Sequence, residues 1–323
     1  MAREYVKPLL TDLAIKYKNA DMKYIADQVC PFVPVETQEG QYRSFAKKNY
    51  YTLVDNERGA TDTAKEINWT VTLSAYNCGD KAVRFFLTDS ELRNQQNQGQ
   101  NGAAALDITE EITQVLTAKI FQKREKRIAN LFFTAGSYDS TNKIQLTGDD
   151  KWSGYSTSDP IANLLTGYRA CMIPPNTLIV GPAVYDVLVQ HSKILQRITG
   201  GATSINPANV TPEMLAAIFR VKRVLVGEAM YDSTPNKPST FTKANIWGKH
   251  ALLAYITETP STLDASFAKT FLFTPEGGTS GWRVRMYRDE ARGGGGEWLE
   301  VEQSVDEKIL AADVGYFIED AVA

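Results

Sequence analysis

The sequence predicts an α+β fold, and three observations predict it. Alternation with a period of two marks "INWTVTLSAY" and the stretches on either side of a run of four glycines, the signature of strands with one buried face. One long helical pattern runs from Ile108 to about Thr134. The centre of the chain alternates short apolar runs with helix starts, in the manner of an α/β unit. The 323 residues leave room for two domains, and a chain of that size buries roughly three quarters of its unfolded surface.

Residues 1–40 read as an arm. Leu9, Leu10, Leu13, Ile15 and Tyr17 form one short amphipathic helix pattern. Then "DMKYIADQVCPFVPVETQEG" is broken by Pro31 and Pro34, which suits an extended segment that must find its partner surface outside itself. Gln41 to Phe45 carry a short strand signal, followed by the polar "KKNYYTLVDNERGATDTAKE". In the next strand Ile67, Trp69, Val71, Leu73 and Ala75 face one way and Asn68, Thr70, Thr72 and Ser74 the other. The pair makes a two-stranded excursion with a long charged tip. Such a ribbon is marginal alone in water, so another part of this chain or another copy must cover its apolar face.

"SELRNQQNQGQNGAAALD" is polar and low in complexity, fit for a flexible connection. The long helix follows, with Asp107 and Glu110 as a capping box and Gly136 placed for its stop. At 1.5 Å per residue it spans roughly 40 Å. Its apolar stripe, Ile112, Val115, Leu116 and Ile120, is interrupted by "QKREKR" and resumes at Ile128, Leu131 and Phe132. That pattern is either a spine with a solvated waist joining two packed regions or an ordinary helix with a solvated face. In the centre, Asp159 caps a helix begun by Pro160, "TLIVGP" is a buried strand, and Pro182 starts a helix carrying Val184, Leu188, Leu195 and Ile198. After the tip loop "TGGATSINPANV", Thr211 and Pro212 open another helix, and "VKRVLVGEA" is again a strand. The last quarter is β-rich: Trp282, Val284 and Met286 alternate with Arg283, Arg285 and Tyr287, the glycines turn the chain, and "EWLEVEQSV" returns. This hairpin reads as a long protruding β-arm.

The same glycines, in "RDEARGGGGEW", invite a phosphate-loop reading. That loop needs a strand before it, a helix after it, and usually a Lys and a Ser/Thr behind the glycines. None follows, and Glu297, Glu300 and Glu302 crowd the place an anion would take. Net charge −3, with 35 basic and 38 acidic residues, supplies no global field for a polyanion. Cys30, Cys78 and Cys171 are odd in number and form no C-x-x-C pair, which suits a reducing compartment and excludes a disulfide framework or a cysteine zinc site. No signal peptide or bilayer-length apolar run is present. Of two histidines, His191 falls on or beside an apolar helix stripe and His250 opens a strand; neither has a ligand or triad partner in sequence. "GTSGW" departs from a nucleophile elbow. No catalytic, cofactor-binding or metal residue is expected, and no enzyme activity.

In order, the chain offers an arm, a long two-stranded loop, a spine helix, an α/β domain with a loop-bearing tip, and returning β-structure. That order resembles the HK97-like major capsid proteins of tailed bacteriophages, a fold shared with encapsulins. The resemblance is carried by "INWTVTLSAY" as the outgoing extended loop, "LDITEEITQVLTAKIFQKREKRIANLFF" as the spine helix, and "TLIVGPAVYDVLVQ", "VKRVLVGEAMYD" and "NIWGKHALLAYI" as the axial domain, with "VGYFIEDAV" as a closing peripheral strand. It divides the chain into an N-terminal arm (1–40), an extended loop (41–80), a peripheral domain (81–158) with spine helix 108–134, an axial domain (159–265) and a return to the peripheral domain (266–323).

The resemblance implies a structural shell protein, assembling as hexamers and pentamers into an icosahedral head that encloses double-stranded DNA without sequence-specific binding. It implies a virion location after assembly in the host cytoplasm, no membrane, no cofactor, and a portal and decoration proteins as companions. An arm that begins almost at Met1 implies a separate scaffolding protein or a precursor segment. Arm and loop in such shells lie across neighbouring subunits, which makes Phe32, Val33, Glu57, Arg58, Trp69, Val71, Leu73, Arg124 and Arg127 the candidate contacts. Lys47, Lys48 and Lys65 lie in the loop, but lysines are common there for solubility alone, and no covalent crosslink is expected of them. An encapsulin-type compartment shell is the alternative within the fold. A nucleotide-using α/β enzyme with the glycine tip as its site is the alternative outside it.

Overall fold

A computed structural model of the protein describes residues 5–6, 24–44, 53, 57–58, 63, 66, 72–93, 108–198, 210–234, 240–261, 264–274, 281–291 and 294–323. The helix expected around Leu9 to Tyr17, the cap at Asp107, residues Ile67, Trp69 and Val71, the lysines of the loop and most of the tip loop lie outside the described residues.

The chain begins with β1 (Tyr5–Val6), the single helical turn α1 (Ala26–Val29), β2 (Phe32–Val35), β3 (Glu39–Ser44), β4 (Thr72–Asn77) and β5 (Gly79–Thr88). Then come the spine helix α2 (Ile108–Phe132), β6 (Lys143–Gln145), α3 (Pro160–Ala170), β7 (Thr177–Val180), α4 (Pro182–Gln190), α5 (Ser192–Ile198), α6 (Pro212–Phe219) and β8 (Arg223–Val226). The hairpin β9 (Met230–Asp232) and β10 (Lys243–Asn245) leads to β11 (Ala251–Ala254), β12 (Ala268–Phe273), β13 (Trp282–Asp289), β14 (Gly296–Ile309) and β15 (Gly315–Glu319).

A five-stranded sheet, β6-β15-β11-β7-β8, is buried on both faces. On one face Leu178, Val180, Leu253 and Ile318 meet Leu164, Val184, Leu188, Leu215 and Phe219 of α3, α4 and α6. On the other, Ile179, Leu252 and Phe317 meet Ile128 and Phe132 of the spine helix together with Trp247 and Phe267. Double burial is why these strands read as unbroken apolar runs and not as alternation. Helices start as the caps foretell: Asp159 accepts from the Ala162 N–H (3.0 Å) and Thr211 from the Met214 N–H (3.4 Å), each with Pro next in line. Gly167 in α3 is required, since a Cβ there would stand 2.4 Å from the Tyr316 ring.

The other main sheet is organised by β14. β13 and β12 share one of its edges, end to end, and β5 takes the other. The first half of the spine helix lies on it, with Leu116 and Ile120 against Trp282, Val284, Met286, Leu299 and Val301. One helix thus closes one face of each sheet, as expected of a spine.

Four expectations are corrected. The glycine hairpin does not protrude: β14 is the central strand of its sheet, and at the tip the Asp89 N–H donates to the Gly295 carbonyl (3.2 Å), with Gly294 (φ 93°) and Gly295 (φ 70°) in the region that disfavours side chains. The closing strand β15 belongs to the α/β sheet, parallel to β6 and antiparallel to β11, because its own residues alternate between two buried faces. The helix begun at Pro182 breaks at His191 into α4 and α5. The waist of the spine helix is solvated on one side only: Lys123 is exposed, but Arg124 is 1% and Glu125 0% exposed. The reason lies in the arm, which supplies partners that local sequence around the helix does not show.

Candidate assembly interface

The arm's seat is built by two consecutive residues of the spine helix. Glu125 accepts hydrogen bonds from the backbone N–H groups of Ile25 (3.1 Å) and Ala26 (2.9 Å) and from the Trp247 indole N–H (2.6 Å). Arg124 donates to the Cys30 carbonyl (2.9 Å) and the Thr270 hydroxyl (3.2 Å), pairs with Asp27, and lies over the Phe32 ring. The carboxylate serves the orphan N–H groups at the start of α1 and the guanidinium the carbonyl at its end. Burial raises the Glu125 carboxyl above its usual range, while the Trp247, Ile25 and Ala26 donors and Arg124 pull it back.

Beyond α1 the arm becomes a strand. β2 pairs parallel with β12, register Val33 to Phe271, and the carbonyls of Pro31 and Val35 accept from Thr270 and Thr274 (2.9 Å each). Odd-numbered residues therefore turn their backbone toward β12, and Pro34, which has no N–H to give, turns its backbone outward on an edge strand. Residues 24–35 dock on their own chain, with Pro34 exposed and Phe32 part-exposed on the edge strand.

The ribbon behaves differently. β3 and β4 pair antiparallel, with Arg43 opposite Leu73 and Gln41 opposite Ala75. Tyr76 stacks on Phe271 (4.6 Å between centroids) and Tyr42 approaches it at 5.3 Å, so this face is anchored. On the opposite face Leu73 remains 55% exposed. Next to the ribbon, β5 has no second strand neighbour among the described residues, and Phe85 on it is 45% exposed. These are an open edge and open apolar groups on adjoining strands; elsewhere among the described residues Leu53, Val115, Met214, Met230 and Phe241 are also exposed.

Of the remaining candidate contacts, Arg127 pairs with Glu307 (2.6 Å) and is partly exposed, while Glu57 and Arg58 are exposed and each has an interaction partner. Val33 and Arg124 are buried inside the chain, and Phe32, part-exposed, lies under the Arg124 guanidinium. Trp69 and Val71 lie outside the described residues. The sequence reading missed Glu125, and also Lys269, which is fully buried and donates to the carbonyls of Ser261 (2.5 Å) and Asp264 (2.7 Å) and to the Asp264 carboxylate (2.8 Å). It also passed over a ladder across the hairpin, Arg283 with Glu302 (2.7 Å) and Arg285 with Glu300 (3.0 Å). That ladder had a signal: "RVR" and "EVE" stand at mirrored positions about the glycine tip.

The groups considered for chemistry are structural. The His191 ring, at the break between α4 and α5, meets the Ser158 hydroxyl at Nε2 (3.1 Å) and accepts the Lys193 N–H at Nδ1 (3.3 Å). His250 Nδ1 accepts the Asp320 N–H (3.0 Å). Burial lowers both imidazoles below their usual value. Burial also pushes the thiols of Cys30 and Cys171 up to about 12 and that of Cys78 to about 11, far from reactive thiolates. Among the described residues no cluster of His, Cys, Asp or Glu could hold a metal, and no helix is long and apolar enough to cross a membrane.

No family model matches the chain. It is 29% identical over 322 residues to the major capsid protein of Pseudomonas phage JBD67, covering 98% of this chain and 97% of that one. It is 29% identical over 255 residues to the major capsid protein of Burkholderia phage BcepMu, covering 78% and 76%. A phage-related protein from Bordetella bronchiseptica RB50 shares the fold at TM-score 0.73 and 20% identity, over 99% of this chain and 98% of that one. An encapsulin from Synechococcus elongatus PCC 7942 shares it at TM-score 0.53 and 8% identity, over 98% and 95%. The HK97-like α+β fold and the likeness to tailed-phage major capsid proteins, both read from the sequence, are borne out.

Proposed function

We propose that the chain is the repeating structural subunit of an icosahedral phage head, assembling as hexamers and pentamers around double-stranded DNA. A structural shell role is carried by whole-length likeness to phage major capsid proteins. Within the molecule one observation supports it: the β3–β4 ribbon is anchored on one face and leaves Leu73 open on the other. A neighbouring copy that covers this face completes the ribbon; Leu73, Glu57 and Arg58 are its contacts, and Trp69 and Val71 share Leu73's parity in the alternation of "INWTVTLSAY". Arg127, partly exposed, is a further candidate for that contact, its charge already paired with Glu307. Assembly takes place in the host cytoplasm with a separate scaffolding protein, a portal and decoration proteins, and the product resides in the virion.

Negative-stain microscopy of the purified protein tests this: closed shells or capsomers are expected, and a uniform monomer at high concentration overturns it. The encapsulin reading rests on a shared fold at 8% identity, weaker than the sequence likeness to phage capsids. Particles that carry protein cargo and no nucleic acid decide for it.

A further inference from the structure

We propose that the solvent-facing stripe of the spine helix is a docking surface for double-stranded DNA, an inference that rests on the shell reading and adds to it which side of the subunit faces the genome. From Ile112 to Phe132 the helix carries a single carboxylate, Glu125, and that one is buried in the arm's seat. Its two arginines are consumed as well, Arg124 by α1 and Arg127 by Glu307. The charges left facing solvent are lysines. Lys119 and Lys123 are exposed and have no ion-pair partner among the described residues. Lys126 stands at the side of the stripe, its ammonium 3.2 Å from the Tyr231 hydroxyl and over that ring.

At 3.6 residues per turn the three lysines fall within about 60° of one another and within about 10 Å along the axis. Such density of one sign runs against a chain whose net charge is −3. A duplex presents a negative charge every ~1.7 Å of its axis, and lysines on flexible stems neutralise phosphates without fixing a register. Lysine is also a hydrated point charge with no planar fork, so it holds a backbone without reading bases. That matches a wall that must accept any sequence. A protein partner would ask for apolar anchors, and the only large exposed apolar group described on the helix is Val115. The helix side of the six-stranded sheet then faces the DNA, and the Arg283–Glu302 ladder on the opposite face points away from it.

The test is fluorescence anisotropy of a labelled random-sequence duplex of about 20 bp titrated with the full chain as capsomers over a series of salt concentrations. Wild type is expected to bind with an affinity that falls steeply with salt. The double variant K119E/K123E should bind at least about tenfold more weakly and lose about 1.8 from the slope of log K against log salt, at about 0.9 per phosphate contact. Its unfolding midpoint should match wild type, since both side chains are exposed. The double variant K151E/K249E changes net charge equally elsewhere and should bind as wild type does. No salt-dependent binding by wild type, equal losses in both variants, or a polyglutamate peptide held as well as the duplex overturns the proposal. Microscopy of the same samples keeps the two readings apart. Intact shells with equal DNA affinity in wild type and K119E/K123E overturn the docking surface alone, whereas failure of wild type to assemble overturns the shell reading beneath it.

Discussion

The five-stranded sheet and the β3–β4 ribbon are both made of short strands that carry apolar residues, yet they end in opposite conditions. In the sheet, both faces of β7, β11 and β15 are covered from within the chain, by α3, α4 and α6 on one side and the spine helix with Trp247 and Phe267 on the other. In the ribbon, Tyr42 and Tyr76 anchor one face to Phe271 while Leu73 on the other stays open. The difference teaches that apolar content does not mark an assembly surface. What marks it is apolar content left uncovered after the chain has used its own elements. The arm makes the point from the other direction: it looked destined for a neighbour and is held at home by Glu125 and Arg124.

The largest effect is expected where the closed part is held. Glu125→Ala removes the acceptor of three N–H groups and leaves Arg124 buried with less countercharge, at a cost of about 3–5 kcal/mol. Guanidinium denaturation should show an earlier midpoint, and an unchanged curve would mean that the arm is not part of the closed region. On the open side, Leu73→Asp should leave subunit stability within about 0.5 kcal/mol, as surface changes do. Yet it should raise the subunit concentration needed for shells by tenfold or more, since burying a leucine contributes about 1.5–3 kcal/mol. Sedimentation would reveal it; a destabilised monomer with normal assembly would reverse the assignment of Leu73. At the hairpin tip, Gly294→Ala should cost about 1 kcal/mol from the left-handed backbone alone. ATP should give no thermal shift in either protein, and a shift lost with the glycine would revive the phosphate-loop reading.

The smallest effect is a slope with pH. His191 and His250 have folded values below the unfolded value of about 6.5, so their contribution is present above that pH and is lost as pH falls through the folded values. His191 faces Ser158, Tyr155, Lys193 and Asp159, and only Asp159 favours its protonation. Stability should therefore decline below about pH 6.5, and His191→Asn should flatten the decline without abolishing it, because His250 remains. A steeper decline in the variant, seen by thermal melts across that range, would remove His191 from the account.

Much of the fold was legible because its signals are local. The spine helix was read as 108–134 and runs Ile108–Phe132; Asp159 and Thr211 cap the helices they were expected to cap; the ribbon pairs the short strand signal at Gln41–Phe45 with the later part of the alternating segment. The proposed assembly surface was legible only in part: Leu73 is open, but Phe85 on the free edge of β5 gave no separate signal. The arm's seat was not legible at all. "QKREKR" looks solvated in one dimension, and only the docking of residues 24–30, about a hundred positions away, turns its Arg and Glu inward.

The sequence by itself determined which segments are helices and strands, where they are capped and turned, and that an apolar face exceeded what a two-stranded ribbon can bury. Periodicity, caps and turn chemistry act over a few residues, so they can be read along the chain. Tertiary structure alone decided which face each strand closes, that β15 joins the α/β sheet, and that residues 24–35 dock on their own chain while Leu73 of the ribbon stays open. Those outcomes depend on non-local pairing, where a buried carboxylate or a strand edge takes whichever distant partner satisfies it at least cost.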